Sequence, residues 1–91
     1  MTAHPTDTLT LTIRYYAAAA AAAGVEEERV DVPGPATVRS LLDSRSQRFG
    51  AEFATVLQRC SYLLDEVAVH DLDSPLHPGA QLDVLPPFAG G

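Results

Sequence analysis

At 91 residues, 46% apolar and 20% charged, the chain has the size of one globular domain, and no apolar run in it is long enough to span a membrane. Its formal net charge of −6 excludes the broad basic face that nucleic acid or an anionic membrane needs, and favours protein partners with basic surface. A single cysteine, Cys60, excludes an internal disulfide and a closed thiolate metal site, and fits a reducing, cytoplasmic setting.

Residues 1–7, with His4-Pro5, read as a disordered leader without the basic-then-apolar layout of a secretion signal. Thr8 to Tyr16 is the clearest strand. Leu9, Leu11, Ile13 and Tyr15 alternate with Thr8, Thr10, Thr12 and Arg14, so one face is buried and the other wet; Tyr16 then falls on the wet face. The seven alanines Ala17 to Ala23, closed by Gly24, predict one or two helical turns linking two strands. Glu26 to Pro33 is a second strand with Val30 and Val32 inward, and its leading glutamates read as a solvated loop or strand edge.

Pro33-Gly34-Pro35 forces a turn, and Thr37 caps a helix in which Val38, Leu41 and Leu42 share a face, ending near Phe49-Gly50. Phe53, Val56 and Leu57 suggest a further helical turn. Cys60 to Leu64 and Glu66 to Val69 are short apolar strands joined at Asp65, with Val67 and Val69 on one face and Ala68 on the other. Asp71 to Gly79 is loop. Ala80 to Leu85 is the last strand, with Ala80, Leu82 and Val84 inward and Gln81, Asp83 and Leu85 outward. Strands around one principal helix give an α+β fold, a four- to five-stranded mixed sheet packed on that helix over residues 8–85.

Pro86-Pro87 cannot extend the ladder of a central strand, so Pro86, Pro87, Phe88, Ala89, Gly90 and Gly91 form an extended, flexible tail over 86–91. Glycine at the last two positions lets a tail enter a narrow channel at any φ that the channel imposes and leaves the terminal carbonyl open to attack. The double proline stiffens the base and lowers the entropy lost on insertion. The opposing possibility is an inert, frayed end.

Other chemistry has little to stand on. The histidines at 4, 70 and 77 lie on the leader or on loops, none at helical metal spacing, so no metal site is expected. Cys60 sits in a run that reads as buried strand, where a free thiol behaves as a small hydrophobe. No glycine-rich phosphate loop and no nucleophile triad is present, which leaves the carboxylate of Gly91 as the reactive group.

The segment Gly79-Ala80-Gln81-Leu82-Asp83-Val84-Leu85-Pro86-Pro87-Phe88-Ala89-Gly90-Gly91 resembles the closing strand and tail of MoaD, the small subunit of molybdopterin synthase, in the ThiS/MoaD family of ubiquitin-like sulfur carriers. Ile13-Arg14-Tyr15-Tyr16-Ala17, Ala36-Thr37-Val38 with Leu41-Leu42, and Ser74-Pro75-Leu76 are similar to the family's first strand, helix start and last turn. The chain departs from the pattern at Ala17–Ala23, where charged residues are usual. It departs again at Asp65-Glu66, in place of an Asn-Gly turn, and at Ala80, where an acidic residue is frequent.

The resemblance implies a β-grasp fold with the first and last strands parallel at the sheet centre, and no bound cofactor. A MoeB-like enzyme would adenylate Gly91 with ATP, and a sulfurtransferase would supply sulfur for a terminal thiocarboxylate. The tail would then enter the large, MoaE-like catalytic subunit, in a heterotetramer, and donate sulfur to precursor Z to make molybdopterin. The catalytic pocket would belong to the large subunit. The resemblance also places partner contacts at Tyr16, Ala68 and Leu85, three apolar residues that alternation puts on the outward face. Carriers for thiamin or cysteine synthesis use the same tail chemistry. A ubiquitin-like modifier, joined through its terminus to lysines, and a plain binding module with an inert tail also fit the sequence.

Overall fold

A computed structural model of the chain describes residues 8–87; the expected leader at 1–7 and the tail residues Phe88, Ala89, Gly90 and Gly91 lie outside the described residues. Five strands and three helices follow in the order β1 (Thr8–Tyr15), α1 (Ala17–Ala23), β2 (Glu27–Pro33), α2 (Val38–Phe49), α3 (Ala51–Leu57), β3 (Ser61–Leu64), β4 (Val67–Ala68) and β5 (Gln81–Leu85). The sheet order is β2-β1-β5-β3-β4. β1 and β5 run parallel, with Arg14 opposite Asp83 and Tyr15 opposite Val84, while the other pairs are antiparallel. This is the α+β, β-grasp arrangement expected, with the helical layer made of more than the single principal helix read from the sequence.

The period-two pattern of β1 buries Leu9, Leu11, Ile13 and Tyr15, and the register sets Leu9 against Val32 and Leu11 against Val30, so buried residues meet across the strands. Leu82 and Val84 of β5 continue that face. Val38, Leu41 and Leu42 of α2 and Phe53 and Leu57 of α3 cover it. Thr37 and Ser40 close a capping box at the start of α2, where each side chain accepts from the other's backbone N–H. The next two free N–H groups, of Val38 and Arg39, donate to the carbonyls of Ser74 and Leu72, which straps the 71–79 loop to the helix. Gly50 separates α2 from α3 at φ 103° and ψ −174°, a region open essentially to glycine alone.

The alanine segment is helical as expected and ends at Gly24, which adopts φ 81° and donates its N–H to Ala20. Alanine has the least side-chain entropy to lose and brings the backbone close to its neighbour. Ala19 is fully buried, and α1 packs mainly on α3. Tertiary packing therefore holds a seven-residue helix that is too short to stand alone.

One polar network bridges the layers. The Tyr15 hydroxyl donates to Glu28 on β2, and Arg45 Nη1 on α2 donates to the other Glu28 oxygen at 3.1 Å. Burial and the bond to Glu28 together push the Tyr15 phenol far above its ordinary range. Both members of the ion pair are mostly covered, at 15% and 18% side-chain exposure. Glu28→Ala removes the acceptor of both donors and is expected to cost about 2 kcal/mol, read as a lower urea midpoint at an unchanged slope.

Two local expectations, at Cys60 and Tyr16, are corrected, and a third, at Asp83, holds for the face but not for the exposure. Cys60 lies just before β3 rather than within a strand and is half-buried; its Sγ–H reaches the Val56 carbonyl at 3.3 Å, and burial pushes the thiol up. Asp83, read as outward, does lie on the sheet face away from the helices but is only 7% exposed. Neighbours on the sheet cover it: Arg14 Nε approaches to 3.7 Å and Gln81 Nε2 to 3.4 Å. Tyr16 is not a strand residue but the N-cap of α1, half-buried.

Candidate functional site

The parallel pairing of β1 and β5 decides where the tail begins. Parallel strands end at the same edge, so the first turn of α1 lies beside the exit of β5, and the Tyr16 N–H donates to the Val84 carbonyl at 3.2 Å. From Leu85 the chain leaves the sheet through Pro86 and Pro87. Val84 is the last buried apolar residue among those described, Pro86 is half-buried and Pro87 exposed.

At this edge a cleft of about 610 Å³ is lined by Tyr16, Ala17, Ala18, Ser61, Leu85, Pro86 and Pro87. Its only polar side chains are those of Tyr16 and Ser61, so an apolar group from another molecule finds a dry wall there. The alanines give the cleft its width, since a longer side chain at 17 or 18 would project into it. Ala17 takes φ 51°, the left-handed region that costs an L-residue roughly 1–2 kcal/mol, where the chain turns from β1 into α1.

Tyr16 is fixed from the strand side. Arg14 Nη2 donates to its hydroxyl at 2.6 Å, and the guanidinium lies 5.8 Å from its ring centre. The bond to Tyr16, and secondarily the nearby Asp83 and Glu27 carboxylates, hold the Arg14 pKa above its ordinary value. A second cleft of about 420 Å³ adjoins the first through Tyr16 and Ala17, and is lined further by Arg14, Tyr15, Ala20, Glu26 and Glu27.

The three residues expected at a partner surface are thus distributed as follows. Tyr16 and Leu85 line one cleft. Ala68 is on the same open face, since Ser61 pairs with Leu85 and Leu63 with Ala68, but β3 stands between, and Ala68 opens on another depression with Leu63, Cys60 and His70. Sequence reasoning missed Ser61, Glu26 and Glu27. The signal for the glutamates was the run of three acids Glu26-Glu27-Glu28 at the start of the second strand.

No trio of histidine, cysteine and carboxylate side chains that could hold a metal occurs among the described residues. His77 instead pairs with Asp65 at the β3–β4 turn, where Asp65 and Glu66 both have positive φ, as the tight two-residue hairpin requires. Among the described residues no helix is long and apolar enough to cross a membrane.

A sheet with parallel central strands, helices on one face and a proline-stiffened exit beside an apolar cleft defines a ubiquitin-like β-grasp protein. Residues 13–91 match the ThiS family, and the chain belongs to it. SAMP1 from Haloferax volcanii superposes with a TM-score of 0.79 at 28% identity, covering 90% of this chain and 99% of that one. The putative molybdopterin converting factor subunit 1 from Pyrococcus furiosus superposes with a TM-score of 0.79 at 24% identity, covering 88% and 99%. A chain from the complex of subunits 1 and 2 of molybdopterin-converting factor from Helicobacter pylori gives 0.62 at 20%, covering 91% and 100%. At those identities the last two speak to fold alone. None of the curated proteins compared matches the sequence.

Proposed function

We propose that this protein is a sulfur carrier that serves molybdopterin formation as the small subunit of a molybdopterin synthase. Its working group is the carboxylate of Gly91. That carboxylate attacks the α-phosphorus of ATP in an activating enzyme, pyrophosphate leaves, and a sulfur nucleophile displaces AMP from the mixed anhydride, so that a C–S bond replaces a C–O bond at the terminal carbonyl. The thiocarboxylate then enters the catalytic pocket of a large subunit, in a heterotetramer of two carriers on a dimer of large subunits. The carrier's own residues bind and orient: Pro86 and Pro87 narrow the directions the tail takes, and the Tyr16–Leu85 cleft seats an apolar side chain of the receiving protein.

The observation that carries this reading is the register of β1 and β5, which sets the start of the tail against an apolar cleft in a chain that matches the ThiS family through residue 91. The tail's likeness to MoaD supports the pathway. A second reading, a protein modifier joined through Gly91 to lysines, is favoured by the 28% identity to SAMP1, a name given as small archaeal modifier protein 1 in a second H. volcanii structure. Mass spectrometry of the protein taken from cells separates the two. Replacement of one oxygen by sulfur at Gly91 supports the carrier, ladders of larger conjugates support the modifier, and an unmodified terminus under conditions of active cofactor synthesis overturns both.

Leu85→Glu sets a charge in the apolar cleft at a half-buried position outside the core. It is expected to weaken binding to the large subunit by about tenfold or more while leaving the melting temperature within a few degrees. Isothermal titration measures the first and circular dichroism the second.

A further inference from the structure

β2 closes one end of the sheet and is paired on one side only. The Tyr15 N–H donates to the Glu26 carbonyl, and with Leu11 opposite Val30 this register turns the backbone groups of Glu28, Val30 and Val32 towards β1. Those of Glu27, Arg29, Asp31 and Pro33 therefore point out of the sheet; these residues are exposed, and no backbone group meets their free edge among the described residues. Charges on an open edge usually discourage a further strand. Here they are arranged so that one particular strand fits. Arg29 precedes the buried Val30 and Asp31 follows it, both on the sheet face away from the helices. Arg29 has no ion-pair partner among the described residues, and Asp31 accepts from Thr10 Oγ1 at 2.7 Å through Oδ1, which leaves Oδ2 open.

We propose that β2 pairs with β2 of a second copy of this chain, antiparallel about a two-fold axis at Val30, so that two sheets join into one. Charge complementarity fixes the register. Centred on Val30, the pairing sets Arg29 opposite Asp31 of the second copy, and symmetry repeats the pair. Centred on Arg29, it would oppose Arg29 to itself and Glu27 to Asp31; centred on Asp31, it would oppose Asp31 to itself. A slip of one residue would bring Arg29 opposite Val30, whose backbone groups already serve β1. A strand that is its own complement in charge selects a copy of itself over an arbitrary strand, and this commits the edge to that occupant. Pro33, without an N–H, ends the ladder opposite Glu27 of the other copy. Val30 and Val32 are already buried, so the contact adds little apolar area and the dimer is weak, with a Kd on the order of 100 µM. β1 separates β2 from β5, and the two-fold axis sends the two tails to opposite ends of the joined sheet, so both Tyr16–Leu85 clefts stay open. The pairing is independent of the chemistry at Gly91.

Sedimentation equilibrium of the full chain up to about 1 mM tests the pairing, and the unaltered protein is expected to approach the dimer mass at the upper end. Arg29→Asp and Asp31→Arg each set like charges opposite one another at both pairs, and each alone is expected to weaken self-association about tenfold or more. Mixed one to one, the two variants restore opposite charges in the mixed dimer, and association is expected to return to within about threefold of the unaltered protein. The doubly exchanged Arg29→Asp/Asp31→Arg protein is expected to self-associate to the same extent. Both sites are exposed, so every variant should melt within a few degrees of the original. In NMR spectra the backbone amide signals of Arg29 and Asp31 are expected to move with protein concentration, because their N–H groups gain acceptors. A protein that stays monomeric at about 1 mM, a dimer that neither single exchange weakens, or a mixture that associates no better than its components overturns the inference. The carrier reading stands in each of those cases.

Discussion

Removal of Gly91 is expected to abolish thiocarboxylate formation, a loss of at least a thousandfold in sulfur donated, with no change in the unfolding midpoint. The two halves of this result have separate causes. Chemistry is lost because the shortened end offers its carboxylate at Ala89-Gly90, one residue (about 3.5 Å) short of the activated phosphate, and misplacement by even 1 Å costs about a hundredfold in well-positioned reactions. Stability is kept because no buried apolar residue follows Val84 among those described, and β5 ends at Leu85. Mass spectrometry after incubation with the activating enzyme, ATP and a sulfur donor reads the first; urea unfolding reads the second. A truncated protein that still acquires sulfur removes Gly91 from its proposed role.

Phe53→Ala is expected to be the most damaging single change to the fold, at about 3–5 kcal/mol. Phe53 is fully buried on α3 and meets two other rings edge-on, Tyr15 at 5.6 Å and Phe49 at 5.0 Å between centroids. Tyr15 and Phe49 also contact each other, so the cavity would open at the point where β1, α2 and α3 converge. Domains of this size have only about 5–15 kcal/mol in total, and the variant should melt about 15 °C or more below the unaltered protein. Phe53→Leu, which keeps most of the volume, should recover over half of that loss. A melting temperature within a few degrees of the original for Phe53→Ala would show that α3 is peripheral to the core.

The parts of the fold that were legible in the sequence are those where one residue pattern has one physical outcome. The alternation in β1 sorted its faces correctly, Thr37 capped α2, and Gly24 ended the alanine helix. Pro86-Pro87 marked the end of β5 for the same reason, the missing N–H. Asp83 shows where the pattern stops. Alternation assigns a side chain to a face but does not report how tightly neighbouring residues cover that face, and the approach of Arg14 to Asp83 comes from the sheet order and the register. Tyr16 was visible as an apolar residue out of phase, yet its place at a helix start depends on a left-handed turn at Ala17 that no propensity favours for alanine. The grouping of Tyr16 with Leu85, and the separation of Ala68 from both, follows from β3 lying between β5 and β4. Glu26 and Glu27 read as a solvated loop or strand edge because the groove beside them exists only once β2 lies against β1.

The placement of β5 between β1 and β3 has a mechanical corollary. A machine that grips Pro87 and tugs along the strand loads both flanking ladders lengthwise, so several hydrogen bonds must rupture together; a pull across the sheet would part them one after another. The handle thus sits on a strand braced along both edges, so traction at Pro87 would not unravel the body behind it.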